Sequence, residues 1–148
     1  MREVHIAGIV SGGVPDEVFA AVTNVEAFPE LCGDVREVRV SEVDGLRRSA
    51  WKVKFRGGTL EWVEQDEVDL GAHIMSFHRL EGDFKEFRGQ WRVDQRDSDC
   101  AVDFTVDFDL GIPALGAVLE PIAAKSLRTN LSAVLRGLFG SAVKLEGD

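Results

Sequence analysis

The stretch that decides the fold is residues 113–144, PALGAVLEPIAAKSLRTNLSAVLRGLFGSAVK. Its apolar residues recur at spacings of three and four, which places most of them on one stripe of a helix. They are Leu115, Leu119, Ile122, Leu127, Leu131, Val134, Leu135, Leu138 and Phe139. Pro121 lies inside this pattern and has no amide hydrogen to donate, so it predicts either a kink or a short helix that ends before it. We therefore expect a long C-terminal helix with one apolar face.

Upstream of this helix, most of the sequence alternates between apolar and polar residues with the period of two that is typical of strands. A first strand is predicted over residues 3–10. Pro15, followed by two acidic residues, then opens a short helix, and a second short helix or turn continues to residue 30. Six further strands are predicted between residues 35 and 110, separated by turn signals such as Gly57-Gly58.

These elements can bury their apolar surfaces only against one another. The sequence therefore predicts an α+β fold, in which a curved antiparallel seven-stranded sheet is wrapped around the long C-terminal helix, with two short helices after strand 1. There is no repeat, linker or low-complexity segment, so residues 1–148 are expected to form a single ligand-binding domain.

Composition excludes several classes of function. A formal net charge of −9 argues against binding to nucleic acid or to anionic membranes. No apolar run approaches the roughly 20 residues of a membrane-spanning helix, and the first residues do not resemble a signal peptide. Cys32 and Cys100 are isolated in the sequence and are expected to be reduced thiols of a cytoplasmic protein. No motif suggests a metal site or a cofactor.

The predicted inner faces of the strands carry many bulky aromatic residues. They are Trp51, Phe55, Trp62, Phe77, Phe87, Trp91, Phe104 and Phe108. One interpretation is that these residues simply fill the core. The other is that a curved sheet and a single helix leave a hydrophobic pocket between them, of roughly 300–1,000 Å³.

The predicted strand over residues 59–70 departs from the apolar pattern. Trp62, Glu64 and Asp66 share one of its faces, so an inward Trp62 brings both carboxylates towards the cavity. Arg79 of the next strand is then a candidate ionic partner for one of them. Two alternatives remain: the opposite register points Val63 inward and both acids outward, or the charges lie at strand ends in solvent.

Several segments resemble the helix-grip START superfamily, and within it the polyketide cyclase/dehydrase family, including the bacterial aromatase/cyclases; related coenzyme Q-binding START proteins are similar too. The segments are VEAFPEL (25–31), LEWV (60–63), HRLEG (78–82), GQWR (89–92), FTVDFDL (104–110) and RTNL (128–131). The resemblance implies an aromatic-walled pocket, in which such enzymes direct the aldol closure and dehydration of a poly-β-ketone chain that an acyl carrier protein delivers. No cofactor is implied.

Carried over by position, the resemblance and the strand pattern together predict the site residues. The catalytic candidates are Arg79, Glu64 and Asp66. The ligand-binding candidates are Phe28, Trp51, Trp62, Met75, Phe77, Phe87, Trp91 and Asn130. Two residues depart from the family pattern, since its second arginine is Asp66 here and its tyrosine is Val35.

Three functions are therefore open. The first is a cofactor-independent cyclase or dehydratase that acts on a polyketide-like substrate. The second is a non-catalytic carrier of a quinone or lipid, which the two departures favour. The third is an interaction domain without a cavity. The expected partners are a hydrophobic small molecule and, for the enzyme, an acyl carrier protein; nucleic acid and stable membrane insertion are not expected.

Overall fold

The computed structural model describes residues 1–147, over which the chain forms eight strands and three α-helices. The strands are β1 Arg2–Val10, β2 Val35–Val43, β3 Leu46–Phe55, β4 Gly58–Asp69, β5 Ile74–Gly82, β6 Glu86–Arg96, β7 Asp99–Asp109 and β8 Val143–Leu145. The α-helices are α1 Pro15–Thr23, α2 Phe28–Leu31 and α3 Gly116–Phe139, and 3₁₀ turns cover Val25–Ala27 and Gly140–Ala142.

The strands form one sheet in the order β2-β3-β4-β5-β6-β7-β1-β8, and every neighbouring pair is antiparallel. Helix α3 packs on the inner face of this sheet and buries Ala123, Leu131, Val134 and Leu135 in the core. The predicted α+β fold, with a large curved antiparallel sheet and a long C-terminal helix, is confirmed.

The predicted count of seven strands is wrong, because the chain forms an eighth strand after α3. The sequence pattern assigned residues up to 144 to the helix, but α3 ends at Phe139 and the chain reverses at Gly140, which has φ 57° and ψ −135°. Val143–Leu145 then pairs with the free edge of β1. This short strand covers a sheet edge that would otherwise expose unpaired backbone groups.

We expect Gly140→Ala to destabilise the protein by about 1–2 kcal/mol, because this combination of φ and ψ is available almost only to glycine. A Cβ at this position would meet no atom within 4 Å, so the cost is confined to the backbone. Urea unfolding measures the loss. Gly57→Ala is the control, since a Cβ at Gly57 also meets nothing within 4 Å and its φ is not positive; equal stability of the two variants would contradict the prediction.

Helix α3 runs without interruption through Pro121, so the expected helix end before this residue is not formed. Pro121 lies inside α3, beyond its first turn, so the helix continues there without the backbone hydrogen bond that a residue with an amide hydrogen would donate. The two halves of α3 differ in burial. Leu131, Val134 and Leu135 of the second half are buried, whereas Val118 of the first half is 62% exposed. No helix in residues 1–147 is both long and apolar enough to cross a membrane.

Candidate functional site

A cavity lies between the inner face of the sheet and α3. Its walls come from β2 to β7, from Phe28 of α2, and from residues of α3 that include Ser126 and Asn130. Its volume is about 70 Å³, which is well below the roughly 300–1,000 Å³ typical of pockets for drug-sized ligands. The prediction of a cavity within that size range is therefore wrong, because side chains fill most of the space.

The eight residues that the sequence predicted as ligand-binding all line this cavity. They are Phe28, Trp51, Trp62, Met75, Phe77, Phe87, Trp91 and Asn130. All three tryptophans of the chain are among them. The lining thus places these residues around one space, and binding of a ligand by them stays a prediction.

Direct contacts between aromatic rings explain why the cavity is small. Trp51 and Trp62 stack with their ring centroids 5.8 Å apart and their planes 2° from parallel. Trp62 also contacts Phe87 at 5.1 Å, and Phe87 lies 4.8 Å from Phe84. Offset and edge-on ring contacts of this kind are favourable in themselves. A ligand larger than the cavity must therefore separate walls that attract one another.

The structure adopts the register in which Trp62, Glu64 and Asp66 point inward. The exposed fractions of these residues are 6%, 4% and 3%, so the register with Val63 inward and the placement of both acids at solvated strand ends are both wrong. Of the two acids, Glu64 lines the cavity, whereas Asp66 lies beyond it, outside the lining as described over residues 1–147. The carboxyl groups thus hold different positions along β4.

The partners of these acids come from β3. In the register of β3 and β4, Arg47 faces Asp66 and Ser49 faces Glu64, next to the facing pair Trp51 and Trp62. We call Arg47, Ser49, Glu64 and Asp66 the polar ladder. The polar ladder extends along β3 and β4 from the aromatic pair at the cavity to a groove on the surface. Arg47 lines this groove together with Asp16 and His73.

Hydrogen bonds connect the members of the polar ladder. Trp51 donates from Nε1 to Ser49 Oγ at 2.9 Å, and Ser49 Oγ donates to Glu64 Oε1 at 3.3 Å. Arg47 Nε donates to Asp66 Oδ2 at 3.2 Å, and its Nη2 donates to the carbonyl oxygen of Thr23 at 2.7 Å.

Three buried polar atoms of β4 are left without a hydrogen-bond partner inside residues 1–147. They are Trp62 Nε1, Glu64 Oε2 and Asp66 Oδ1. Burying such atoms unpaired costs free energy. Two of the three, those of Trp62 and Glu64, belong to residues that line the cavity.

The surroundings of the two acids change their proton affinities. Burial raises the pKa of Glu64 well above its ordinary value of 4.5, and the negative charge of Asp66 raises it further, against the hydrogen bond from Ser49, the nearby indole N–H of Trp51 and the charge of Arg47. Burial also raises the pKa of Asp66, but the nearby Ser49 hydroxyl and the charge and hydrogen bond of Arg47 oppose this. Of the two acids, Asp66 is the one that contacts the guanidinium of Arg47, and this contact stabilises its carboxylate form.

Arg79 is not the partner of either acid, so this predicted pairing is wrong. Its Nε and Nη2 donate to the carbonyl oxygen of Gly82 at 3.3 and 2.8 Å, and the cavity lining described over residues 1–147 does not include it. Arg79 lies opposite Glu64 in the β4–β5 register, as alternation along β5 predicts. Its guanidinium instead turns along β5 to the carbonyl oxygen of Gly82, away from the carboxyl group.

Sequence reasoning did not assign several residues of the site, among them Phe84, Arg47 and Ser49, and it treated Val35 only as a departure from the family pattern. Phe84 occupies the β5–β6 turn with φ 71° and places its ring against Trp62 and Phe108; no periodicity marks it. Val35 lines the cavity from the start of β2. Arg47 and Ser49 could have been predicted, since a spacing of two residues places them on the same face of β3 as Trp51.

Two other side chains near the site could take part in chemistry. His73 lies in the outer groove and contacts Asp16, with 2.6 Å between Nε2 and Oδ1. Cys32 donates from Sγ to Asn130 Oδ1 at 3.6 Å and thereby orients this cavity-lining amide. Within residues 1–147, no three His, Cys, Asp or Glu side chains are grouped so that they could hold a metal ion.

A sheet that grips one long helix, with an aromatic cavity between them, defines a helix-grip domain. The chain belongs to the family described as polyketide cyclase/dehydrase and lipid transport, which matches residues 14–135. No curated protein sequence matches the chain.

Solved structures share the fold over nearly the whole chain. TTHA0849 from Thermus thermophilus is 25% identical, with 95% of this chain and 97% of that chain covered and a TM-score of 0.82. The Zhui aromatase/cyclase from Streptomyces sp. R1128 is 18% identical, covers 95% and 93%, and has a TM-score of 0.74. A START superfamily protein from Mycobacterium smegmatis is 13% identical, covers 91% and 97%, and has a TM-score of 0.72.

Proposed function

We propose that the protein binds an apolar molecule of polyketide or aromatic type that carries a carbonyl group, and promotes its cyclisation or dehydration without a cofactor. The observation that carries this proposal is Glu64, a buried carboxyl group in an aromatic cavity whose Oε2 has no partner in residues 1–147. A neutral Glu64 and the indole N–H of Trp62 are both hydrogen-bond donors. A ligand with carbonyl oxygens supplies the acceptors that these donors lack.

The acid can serve a dehydration as both proton donor and acceptor. Neutral Glu64 gives its proton to the β-hydroxyl of an aldol, which leaves as water. The carboxylate so formed then removes the proton on the carbon between the hydroxyl-bearing carbon and the carbonyl, and a double bond forms. Glu64 ends protonated, as it began, and one water molecule is lost from the substrate. A raised pKa suits this role because the carboxyl group keeps a proton to donate at a pH at which an ordinary glutamate has already lost it.

A polyketide-sized substrate requires the cavity to expand. The first half of α3 is the element that can move most easily, because Leu115 and Val118 at its start are 50% and 62% exposed and few of its side chains are buried. The second half is fixed in the core by Leu131, Val134 and Leu135. Outward displacement of the first half would move Ala123 and Leu127 away from the rings that they cover.

We expect acetophenone to bind about tenfold more tightly than ethylbenzene, because the two molecules differ mainly in the carbonyl group and one hydrogen bond contributes about 1–1.5 kcal/mol. Calorimetric titration of the unmodified protein measures both affinities. Glu64→Leu should remove most of the preference, whereas Glu64→Gln should keep it because the amide N–H₂ still donates. Equal affinities of the unmodified protein for the two compounds would contradict a carbonyl-binding site.

The reaction itself is tested with a poly-β-ketone thioester, supplied on an acyl carrier protein. We expect Glu64→Gln to reduce the rate of cyclised product formation by about 100-fold, since an amide cannot exchange the proton, while acetophenone affinity changes little. Glu61→Gln is the control, because Glu61 lies on the same strand with 59% of its side chain exposed. An unchanged rate of cyclised product formation in Glu64→Gln would remove this residue from the chemistry.

Carriage without catalysis is the second candidate, and Val35 favours it. The resemblance places a tyrosine at this position, and the structure has a buried apolar wall there. Native mass spectrometry of protein purified from its own host separates the two functions. A bound quinone or lipid supports carriage, whereas an empty protein that converts the thioester supports catalysis.

A further inference from the structure

The polar ladder contains two buried carboxyl groups but only one cation, the partly buried Arg47. Arg47 contacts Asp66 at 3.2 Å, with exposed fractions of 26% and 1% for the two side chains. Glu64 has no cation within ion-pairing distance in residues 1–147, and its protein contacts are a hydroxyl and aromatic rings. Two ionised carboxylates so close together in a buried site are unfavourable when a single guanidinium balances them.

We propose that Arg47 is a positioning residue, which keeps the negative charge of the pair on Asp66 and thereby keeps the proton of the pair on Glu64, at the end that lines the cavity. Its guanidinium is suited to this role because its two contacts have different functions. Nε binds the carboxylate of Asp66, while Nη2 is held by the carbonyl oxygen of Thr23 at the end of α1. Arg47 therefore acts from the outer groove and does not line the cavity as described over residues 1–147.

Two other groups contact or face the pair, and they act in different directions, since the hydrogen bond from Ser49 favours the carboxylate form of Glu64. Ser49 donates to Glu64 Oε1 and accepts from Trp51. With Oε1 already accepting, the proton of neutral Glu64 is best placed on Oε2, the oxygen without a partner. His78 of β5 lowers the proton affinity of Asp66 when it is charged, so it also favours ionisation of Asp66. Lys54 lines the cavity from an exposed position on β3.

This inference deepens the proposed function, because it assigns the residue that keeps the catalytic proton in place. It is nevertheless tested on the protein without any ligand. At neutral pH exposed carboxyl groups are ionised, so the infrared C=O stretch of a protonated carboxyl group reports only on buried acids. We expect this band in the unmodified protein and in Asp66→Asn, and its loss in Glu64→Gln.

The decisive variant combines Glu64→Gln with Arg47→Gln. Without the guanidinium, Asp66 is expected to take up the proton, so the band should reappear in this double variant. It should remain absent when Glu64→Gln is combined with Arg47→Lys, which keeps the positive charge. A band in Glu64→Gln alone, or no band in the folded double variant with Arg47→Gln, would overturn the proposal.

A second measurement covers the case in which the double variant does not fold. The side-chain ¹³C shift of Asp66 is followed by NMR against pH in the unmodified protein and in Arg47→Gln. We expect its titration midpoint to rise by about one pH unit or more in Arg47→Gln, because a contacting opposite charge is removed. An unchanged or lower midpoint would overturn the role of Arg47. It would not affect carbonyl binding by Glu64, which the calorimetric titration with acetophenone and ethylbenzene tests separately.

Discussion

Gly89→Ala is expected to destabilise the protein by about 3 kcal/mol or more. A Cβ at Gly89 would lie 1.9 Å from the carbonyl oxygen of Thr105 and 2.8 Å from the Cα of Val106. Both are backbone atoms of β7, so no side-chain rotation relieves the clash and the two strands must separate. The loss is a large share of the roughly 5–15 kcal/mol that stabilises a typical domain. Urea unfolding at neutral pH measures it.

The consequence of this substitution extends to the site. Gly89 lies between Phe87 and Trp91 on β6, and both of these side chains line the cavity. A displaced β6 therefore shifts two walls, and we expect weaker ligand binding as well as lower stability. Gly58→Ala is the matched control, because Gly58 is also a strand residue and a Cβ there meets nothing within 4 Å. A loss below about 0.5 kcal/mol in Gly89→Ala would show that the two strands separate more easily than this clash implies.

Periodicity predicted most of the fold because burial on one face leaves a direct trace in the sequence. The stripe from Leu119 to Leu138 identified α3, and Pro15 marked the first residue of α1. The three residues of β8 left no such trace, since a strand of this length shows no alternation. Its formation depends on the free edge of β1, which only the folded sheet presents.

The partner of Asp66 could have been predicted from the turn between β3 and β4. Phe55 and Gly58 pair across this hairpin, and counting back from them places Ser49 opposite Glu64 and Arg47 opposite Asp66. The prediction of Arg79 instead relied on unbroken alternation along β5. That alternation holds, since Arg79 lies opposite Glu64 in the register, but the turn of its long side chain to the carbonyl oxygen of Gly82 has no signature in the local sequence.

The cavity volume lay beyond sequence reasoning for a different reason. The identities of the wall residues follow from alternation, and the structure brings all eight predicted ones together. The remaining space is the small difference between the volume that the sheet and helix enclose and the volume that the side chains fill. Phe84 is an example, because its ring enters from a turn, packs on Phe87 at 4.8 Å and so reduces the space that remains in the cavity.

Glu64→Gln is expected to stabilise the protein increasingly as the pH rises. Below its ordinary pKa of 4.5, Glu64 is protonated in both the folded and the unfolded chain, so its ionisation does not affect stability. Above this pH the unfolded chain releases the proton while burial keeps it bound in the folded protein, so unfolding becomes easier with rising pH until the folded pKa is reached. Glutamine cannot ionise and escapes this loss. The stability difference should therefore grow by up to about 1.4 kcal/mol per pH unit within this window.

Urea unfolding of both proteins at several values between about pH 5 and pH 8 measures this difference. Glu61→Gln controls for the loss of a carboxylate from β4, because Glu61 is exposed and contacts Lys52 at 3.5 Å, and its effect should be small at every pH. A difference that stays constant would mean that Glu64 ionises alike in both states. A difference that shrinks as the pH rises would mean that the folded protein stabilises the carboxylate. Either result would remove the neutral, buried acid on which carbonyl binding and proton exchange in the cavity both depend.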